Sequence, residues 1–138
     1  PLTHDQLVVV ARQNHPLLNN GLTLENYLAA RHILVSSRRK GWGLEDFELN
    51  RAGHKRQIIL RCQHYFAACR VVSETDLLLT MPEHYANIAN AQFDNRIDPF
   101  PLATQPIDAH LYWHANTEND AANAWLRQQL VAVMRDEA

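Results

Sequence analysis

Short apolar runs and amphipathic stretches alternate along most of the chain. Four continuous apolar runs predict buried strands at residues 7–11, 33–35, 58–60 and 77–79. The intervening stretches predict helices at residues 24–30, 42–52 and 64–73 and a fourth helix that begins at Pro82. In the second helix, Leu44 and Phe47 lie three residues apart and predict its apolar face, with Gly53 as the C-terminal stop. Strands that alternate with helices predict an α/β fold with a mainly parallel sheet covered on both faces.

The last third of the chain departs from this rhythm. The sequence Asp-Pro-Phe-Pro at residues 98–101 excludes a central strand and predicts a segment that crosses between layers or lobes. Residues 108–113 alternate polar and apolar and predict one more strand, and Thr117 and Glu118 predict the start of a final helix. That helix has a broad apolar face, formed by Trp125, Leu126, Leu130, Val131 and Met134.

Polar residues collect where three of the predicted strands pass into helices. The first junction holds Ser36-Ser37 and Gly41-Trp42-Gly43, the second Cys62-Gln63-His64, and the third Thr80-Met81-Pro82. Because ligands bind outside the carboxyl ends of the strands in open parallel sheets, we expect the three junctions to form one crevice. Helix N-termini there favour an anion or a carbonyl oxygen. The candidate ligand-binding residues are therefore Ser36, Ser37, Trp42, Gly43, Gln63, His64 and Thr80.

Each candidate also has a purely structural interpretation. In this interpretation the two serines and Thr80 simply cap helices or form turns and bind no ligand. The Gln-His pair could satisfy backbone groups at a helix start, and Trp42 is more typical of a core or a lid than of a ligand-stacking residue. The cationic run at residues 38–40 fits a solvated loop, although an anionic ligand would feel its charge within about 10 Å.

Composition and charge argue against several classes of function. The 138 residues include 13 basic and 15 acidic side chains, a formal net charge of -2, which is unlike a segment that clamps nucleic acid by itself. No apolar run reaches the length of a membrane span, and no signal-peptide pattern opens the sequence. The two cysteines lack CxxC spacing and the eight histidines are scattered, so we expect no metal ion and no cofactor. A reducing, cytoplasmic setting fits best.

Catalytic signatures are also missing from the sequence, which has no GxSxG elbow, no P-loop and no GxGxxG. Cys62 and His64 could be a nucleophile and its base, but no third orienting group can be identified. Cys69 falls on the apolar side of a helix, where a thiol is inert packing. We therefore predict a protein that is not an enzyme, with a small enzyme based on Cys62 as the weakest alternative.

Longer stretches of the sequence carry a family resemblance. HPLLNNGLTLENYLAARHILVSS at residues 15–37 is followed by SETDLLLTMPEHYA, PFPL, HLYWH and a closing AWLRQQL helix. In this order they resemble the effector-binding domain of LysR-type transcriptional regulators over essentially the whole chain, and most of all the branch with a Trp-His pair, here Trp113-His114. The resemblance implies a type 2 periplasmic-binding-protein-like fold, in which two lobes joined by two crossing segments hold the effector between them.

The resemblance also implies a division of the chain. Residues 15–102 would form a complete second lobe with a mainly parallel sheet, and residues 1–14 and 103–138 would supply hinge segments and part of the first lobe. The sequence has no initiator methionine and no counterpart of the family's helix-turn-helix, so we expect a fragment of one effector-binding domain. The second-lobe half of the family's effector site matches Ser36, Ser37, Trp42, Gly43, Gln63 and His64.

Two hypotheses of function follow. The leading one is the effector-sensing and oligomerisation domain of a bacterial LysR-type regulator that binds a small anionic or polar effector in an inter-lobe cleft. Such a protein would form homodimers, and tetramers at full length, and would reach DNA only through the absent helix-turn-helix domain, with no membrane partner. The alternative is a solute-binding protein of the same fold that serves a transporter. Exposed apolar surface and open strand edges further predict that the fragment self-associates.

Overall fold

The computed structural model describes residues 2–136, and the side chains of residues 2–135. Its strands are β1 (Thr3–Asp5), β2 (Leu7–Arg12), β3 (Arg31–Val35), β4 (Gln57–Cys62), β5 (Leu78–Pro82), β6 (Asn95–Pro99) and β7 (Ile107–Ala109). Its helices are α1 (Leu24–Ala29), α2 (Leu44–Arg51), α3 (Tyr65–Ser73), α4 (Glu83–Ala89) and α5 (Ala121–Asp136), with a 3-10 turn at Ala115–Thr117. The chain forms two compact units, of which the larger is Gln6–Gln105 and the smaller combines the described residues on either side of it.

The larger unit is built on a five-stranded sheet with the order β4-β3-β5-β2-β6. Strand β3 pairs in parallel with both β4 and β5, while β2 runs antiparallel to both of its neighbours. The prediction of parallel strands is therefore confirmed for β3, β4 and β5, and β2 is the reversed strand. As a result, the carboxyl ends of β3, β4 and β5 lie at the same edge of the sheet.

The core of the larger unit fills the space between the sheet and helices α3 and α4. Its buried members are Val8, Val10, Ile33, Ala68, Cys69, Val72, Leu79, Met81, Ala86 and Ala89. The sulfur of Cys69 lies 3.8 Å from that of Met81, and burial raises the pKa of this thiol to about 11. Cys69 is thus inert packing, as the sequence predicts.

The other face of the sheet is covered by α1, whose Tyr27 side chain is completely buried. Thr23 caps this helix, since its hydroxyl accepts a hydrogen bond from the Asn26 N–H at 3.2 Å. The Tyr27 ring meets the edge of Phe100 at 5.5 Å between centroids and lies 4.4 Å from the ring of His32. These three aromatic rings therefore form a second buried cluster on this face of the sheet, and two of them carry polar groups.

The prediction that residues 98–101 exclude a central strand agrees with the structure, although Asp98 and Pro99 do belong to an edge strand. Strand β6 ends at Pro99 and pairs with β2 alone, at the edge of the sheet. Proline has no backbone N–H to donate to a neighbouring strand. An edge strand tolerates this because it has no neighbour on its outer side. The prediction for β5 is too short, because the strand continues through Thr80 and Met81 to Pro82.

Helix α2 buries a different face from the one that its sequence predicts. Leu44 and Phe47 are 61% and 52% exposed, whereas Glu45 and Asp46 are buried together with Leu49. The helix begins at Leu44 and not at residue 42. Acidic residues can be buried only when they are paired, so their partner must decide how this helix sits on the sheet.

The smaller unit contains a two-stranded antiparallel sheet and the long helix. Strands β1 and β7 pair with Thr3 opposite Ala109, so the strand predicted for residues 108–113 is only three residues long, at Ile107–Ala109. The final helix starts at Ala121, later than predicted, after Asp120 accepts a hydrogen bond from the Asn123 N–H at 2.9 Å. On its predicted apolar face, Trp125, Leu126 and Leu130 are exposed.

Within residues 2–136, no helix combines the length and the apolar composition that crossing a membrane requires.

Candidate ligand-binding site

The candidate site begins where β3 and β4 end side by side. Val35 lies opposite Cys62 in the parallel ladder, and the Ser36 N–H donates to the Cys62 carbonyl at 2.9 Å. This register brings Ser36 and Ser37 next to Gln63 although the sequence separates them by more than 25 residues. The prediction that the first two junctions meet at one edge of the sheet agrees with this geometry.

A cavity of about 130 Å³ opens at this edge. Its lining residues are Ser36, Ser37, Arg38, Arg39, Arg61, Cys62 and Gln63. The Ser36 hydroxyl accepts a hydrogen bond from the Arg38 N–H at 3.1 Å, which shapes the turn after β3. Within the described residues, the Ser37 hydroxyl and the Gln63 amide have no such hydrogen-bond partner, so both are available to a ligand.

The charge of this cavity is positive and is not neutralised by nearby acids. Arg38 donates to the Trp42 carbonyl at 3.2 Å, and Arg61 donates to the Gly41 carbonyl at 2.8 Å. Both guanidinium groups are thus held by neutral oxygens. In residues 2–135, no carboxylate forms an ion pair with either of them or with Arg39. A small anion is the ligand that such a cavity favours.

Trp42 lies at a different cavity, of about 140 Å³, on the side of α2 and β4. Its ring packs edge-on against Phe47 at 5.3 Å between centroids. That second cavity is lined by Trp42, Asp46, Leu49, Asn50, His54, Lys55, Arg56 and Ile58. The structure therefore separates Trp42 from the two serines, which supports the lid or packing interpretation of this tryptophan.

Gly43 serves as the N-cap of α2 and does not line either cavity. Its N–H donates to an oxygen of Asp46 at 2.8 Å. A Cβ atom at this position would lie 2.7 Å from Leu34 Cδ1 and 2.7 Å from a carboxylate oxygen of Glu45. Only glycine fits here without displacing its neighbours, so its role in the structure is close packing at the helix start.

His64 is the N-cap of α3, and its exposed side chain makes no capping hydrogen bond. It follows Gln63 but is not among the residues that line the cavity. The Cys62 thiol faces the backbone carbonyl of His64 at 3.7 Å. Its partner is thus a backbone oxygen, which gives no support to a Cys-His nucleophile.

Thr80 does not join the other candidates. It is buried inside β5, and its hydroxyl lies 2.7 Å from that of Tyr27 on the far side of the sheet from α3 and α4. Because β5 continues to Pro82, Thr80 stands two residues before the strand end. The expectation that all three junctions share one crevice is therefore wrong for Thr80.

Sequence reasoning missed the buried charge cluster beside Tyr27. The Arg56 side chain is fully buried and donates to Glu45 at 2.6 Å, to Asp46 at 2.7 Å and to the Tyr27 hydroxyl at 3.2 Å. Arg56 is the partner that allows α2 to bury its acidic face. The only signal in the sequence is the pair of acids in the first turn of α2, which is equally typical of an exposed helix start.

Burial dominates the ionisation of this cluster. It raises the pKa of Tyr27 to about 12 and also raises the pKa of Glu45. Burial and the nearby Arg56 charge lower the pKa of His32 to about 4. Tyr27 and His32 are consequently neutral near pH 7. Among the described residues, no cluster of three or more histidine, cysteine or acidic side chains could hold a metal ion.

Comparison with known proteins gives this geometry a family context. A family model described as the LysR substrate binding domain matches residues 1–135. The HTH-type transcriptional activator NahR of Pseudomonas putida is 32% identical over 135 residues, which are 98% of this chain and 45% of NahR. Among solved structures, a probable transcriptional regulator from Pseudomonas aeruginosa has a TM-score of 0.80 at 33% identity, covering 94% of this chain and 42% of that chain.

A more distant solved structure, the effector binding domain of QuiR in complex with shikimate, shows a likeness of fold alone. Its TM-score is 0.68 at 17% identity, with 99% of this chain and 64% of that chain covered. The chain spans less than half the length of NahR and of the P. aeruginosa regulator. These comparisons confirm the effector-binding, periplasmic-binding-protein-like fold that the sequence predicts. The chain belongs to the LysR substrate binding domain family.

Proposed function

We propose that this chain is the effector-sensing part of a LysR-type transcriptional regulator that works in the cytoplasm and is not an enzyme. The family match and the regulators among its relatives support this function. The same relatives do not favour the alternative, a solute-binding protein that serves a transporter. In the proposal, residues 15–102 are the second lobe, which lies within the unit Gln6–Gln105, and residues 1–14 and 103–138 supply hinge segments and part of the first lobe.

The observation that carries the proposal is the positive cavity at the ends of β3 and β4. Ser37 and Gln63 offer hydrogen-bonding groups there, and the lining arginines supply charge that no acid neutralises among the described residues. The effector in this proposal is a small organic anion, held by its carboxylate. Shikimate, bound in the QuiR structure, is also a carboxylate, which is consistent with this class of ligand.

Effector binding would act on the regulator by a shift in population. A ligand that binds one arrangement of the lobes more tightly than another favours the first arrangement, and the shift is limited by the difference in affinity. The proposal couples that arrangement to homodimers and tetramers of the full-length regulator, whose helix-turn-helix domain contacts DNA. The described chain contributes the sensing step.

Isothermal titration calorimetry of the 138-residue chain tests the site with benzoate as a simple aromatic carboxylate and benzamide as its uncharged match. We expect benzoate to bind and benzamide to bind at least tenfold more weakly. Ser37→Ala and Gln63→Ala should each weaken benzoate about tenfold, the effect of one hydrogen bond to a charged group.

The matched control is Ser73→Ala, because Ser73 lies at the end of α3 and, among the described residues, its hydroxyl bonds only within its own helix, to the Arg70 carbonyl. The Ser73→Ala variant should bind benzoate with the same affinity as the wild type. Equal affinity in Ser37→Ala and Gln63→Ala would contradict the assigned site, and equal binding of benzamide would contradict the preference for an anion.

A further inference from the structure

Residues 38–43 are the last six of the eight residues that join β3 to α2, and this loop segment forms part of the cavity wall. Its cationic start, at Arg38 and Arg39, lines the cavity, and its end is Gly43, the N-cap of α2. The positions of the lining guanidinium groups therefore depend on where the loop is fastened. Both ends of this loop are tied by contacts that the structure shows in full.

Two arginines that line the cavity donate hydrogen bonds to backbone carbonyls of the loop. Arg38 donates to the Trp42 carbonyl at 3.2 Å, and Arg61 reaches across from β4 to the Gly41 carbonyl at 2.8 Å. The last peptide groups before Gly43 are thus the acceptors that hold both guanidinium groups. A shift of this short backbone segment would move both cations relative to the cavity.

The far end of the loop is tied to the buried charge cluster. The Gly43 N–H donates to Asp46 at 2.8 Å, and the space beside Gly43 is filled by the Glu45 carboxylate and Leu34. Asp46 and Glu45 are in turn held by Arg56, at 2.7 Å and 2.6 Å. Arg56 thereby fixes the two carboxylates that fix the loop end.

We propose that Arg56 is a positioning residue for the anion site: through Asp46 and Glu45 it holds the loop whose carbonyls orient Arg38 and Arg61. Arg56 lines the second cavity and not the cavity at Ser37 and Gln63, so it acts on the ligand through other residues. The ligand in this inference rests on the proposed function. The positioning itself is a property of the chain and can be measured without an effector.

Glu45 and Asp46 depend on Arg56 for their positions because all three side chains are buried. The Arg56 side chain is fully buried, and Glu45 and Asp46 are less than one-tenth exposed. Two buried carboxylates that lose their cation cannot stay in place without a charge partner, so they must move toward water or take up protons. Either response weakens the hydrogen bond from the Gly43 N–H, because the Asp46 carboxylate moves away or becomes a neutral, weaker acceptor, and the loop end is then held less firmly.

Cys62 offers a direct probe, because its half-buried thiol lines the same cavity as Arg38 and Arg61. The rate of alkylation by iodoacetate, an anion, divided by the rate by iodoacetamide, which is neutral, reports the local potential. Each correctly placed cation at this range should raise the ratio about two- to threefold. We expect the wild-type ratio at Cys62 to be about fivefold that of a cysteine peptide.

Arg56→Met should lower this ratio about threefold, and Arg56→Lys, which keeps a cation but loses the planar fork, should give an intermediate value. The control is Arg51→Gln at the end of α2, because Arg51 is exposed and, among the described residues, forms its ion pair with Glu48 alone. Its ratio should equal that of the wild type. Cys69 is fully buried and reports the fold in the same peptide map, since it reacts only if the unit opens.

An unchanged ratio in Arg56→Met with Cys69 still protected would overturn the inference. If Cys69 becomes reactive in Arg56→Met, the variant Asp46→Asn is used to test the inference instead. It keeps the shape of the side chain and removes the negative charge that pairs with Arg56. Its ratio should fall about twofold, and an unchanged ratio would again overturn the inference. Failure of benzoate to bind the wild type, with the expected shifts in the alkylation ratio, would refute the proposed effector class and leave the positioning role supported.

Discussion

The stability of the larger unit should fall in mild acid because of one buried imidazole, that of His32. Its Nε2 donates to the Tyr27 carbonyl at 2.7 Å, so in the neutral ring the lone pair is on Nδ1. That Nδ1 is buried and has no hydrogen-bond partner among the described residues. Burial first, and the Arg56 charge second, lower the pKa of His32 from 6.5 to about 4.

The sign and size of the effect follow from the two pKa values. Between pH 6.5 and 4 the unfolded chain binds a proton at His32 and the folded chain does not, so stability is complete above pH 6.5 and is lost as pH falls toward 4. At pH 5 the difference corresponds to roughly 2 kcal/mol of unfolding free energy. Glu45 has a raised pKa and changes stability in the opposite sense, but it is the same in both proteins of a matched pair.

Urea unfolding at pH 7.5 and pH 5.0 measures this effect in the wild type and in His32→Gln, which retains a donor for the Tyr27 carbonyl. The loss of stability between the two pH values should be about 2 kcal/mol smaller in the variant. His64→Gln is the matched control, because His64 is exposed, and its loss should equal that of the wild type. An equal loss in wild type and His32→Gln would refute the reasoning.

Two further predictions concern residues that the candidate site does not use directly. Thr80→Val removes the hydroxyl beside Tyr27 and should lower the unfolding free energy by about 1–2 kcal/mol, with benzoate affinity unchanged; a loss of affinity would return Thr80 to the site. Gly43→Ala places a methyl group against Leu34 and Glu45 and should cost about 1–3 kcal/mol in urea unfolding; a neutral result would show that these neighbours can give way.

The strands of the larger unit could be predicted where burial alone decides them. The apolar runs at residues 7–11, 33–35 and 58–60 correspond to the observed Leu7–Arg12, Arg31–Val35 and Gln57–Cys62. The observed strands are longer because backbone pairing continues past the last apolar side chain. At the polar strand ends, Arg31 and Gln57 pair with each other in the ladder although both side chains are exposed.

The errors at Thr80 and at the buried face of α2 share one cause, which is a polar group whose partner lies outside its own helix or strand. Thr80 reads as a strand end, but its hydroxyl is matched by Tyr27, which lies 53 residues earlier. Glu45 and Asp46 read as a solvated helix start, but Arg56 pairs with both inside the fold. Periodicity along a helix cannot reveal a contact of this kind, so the buried face of α2 was beyond sequence reasoning.

The candidate site could be predicted in part. Strand-end logic is enough to place Ser36, Ser37 and Gln63 together, because neighbouring parallel strands end at one edge. Arg61 was missed, since it lies inside β4 and its guanidinium group contacts a carbonyl 20 residues away. The positive charge of the cavity therefore depends on tertiary contacts that the order of residues does not show.

The central claim is that a small organic anion binds at the ends of β3 and β4, and an NMR titration of the 15N-labelled chain with benzoate tests it most directly. We expect saturable shifts that are largest at the amides of Ser36, Ser37 and Gln63 and at the Gln63 side chain, with none from benzamide at the same concentration. Shifts centred instead on Trp42 and His54 at the second cavity, or equal shifts with both compounds, would contradict it.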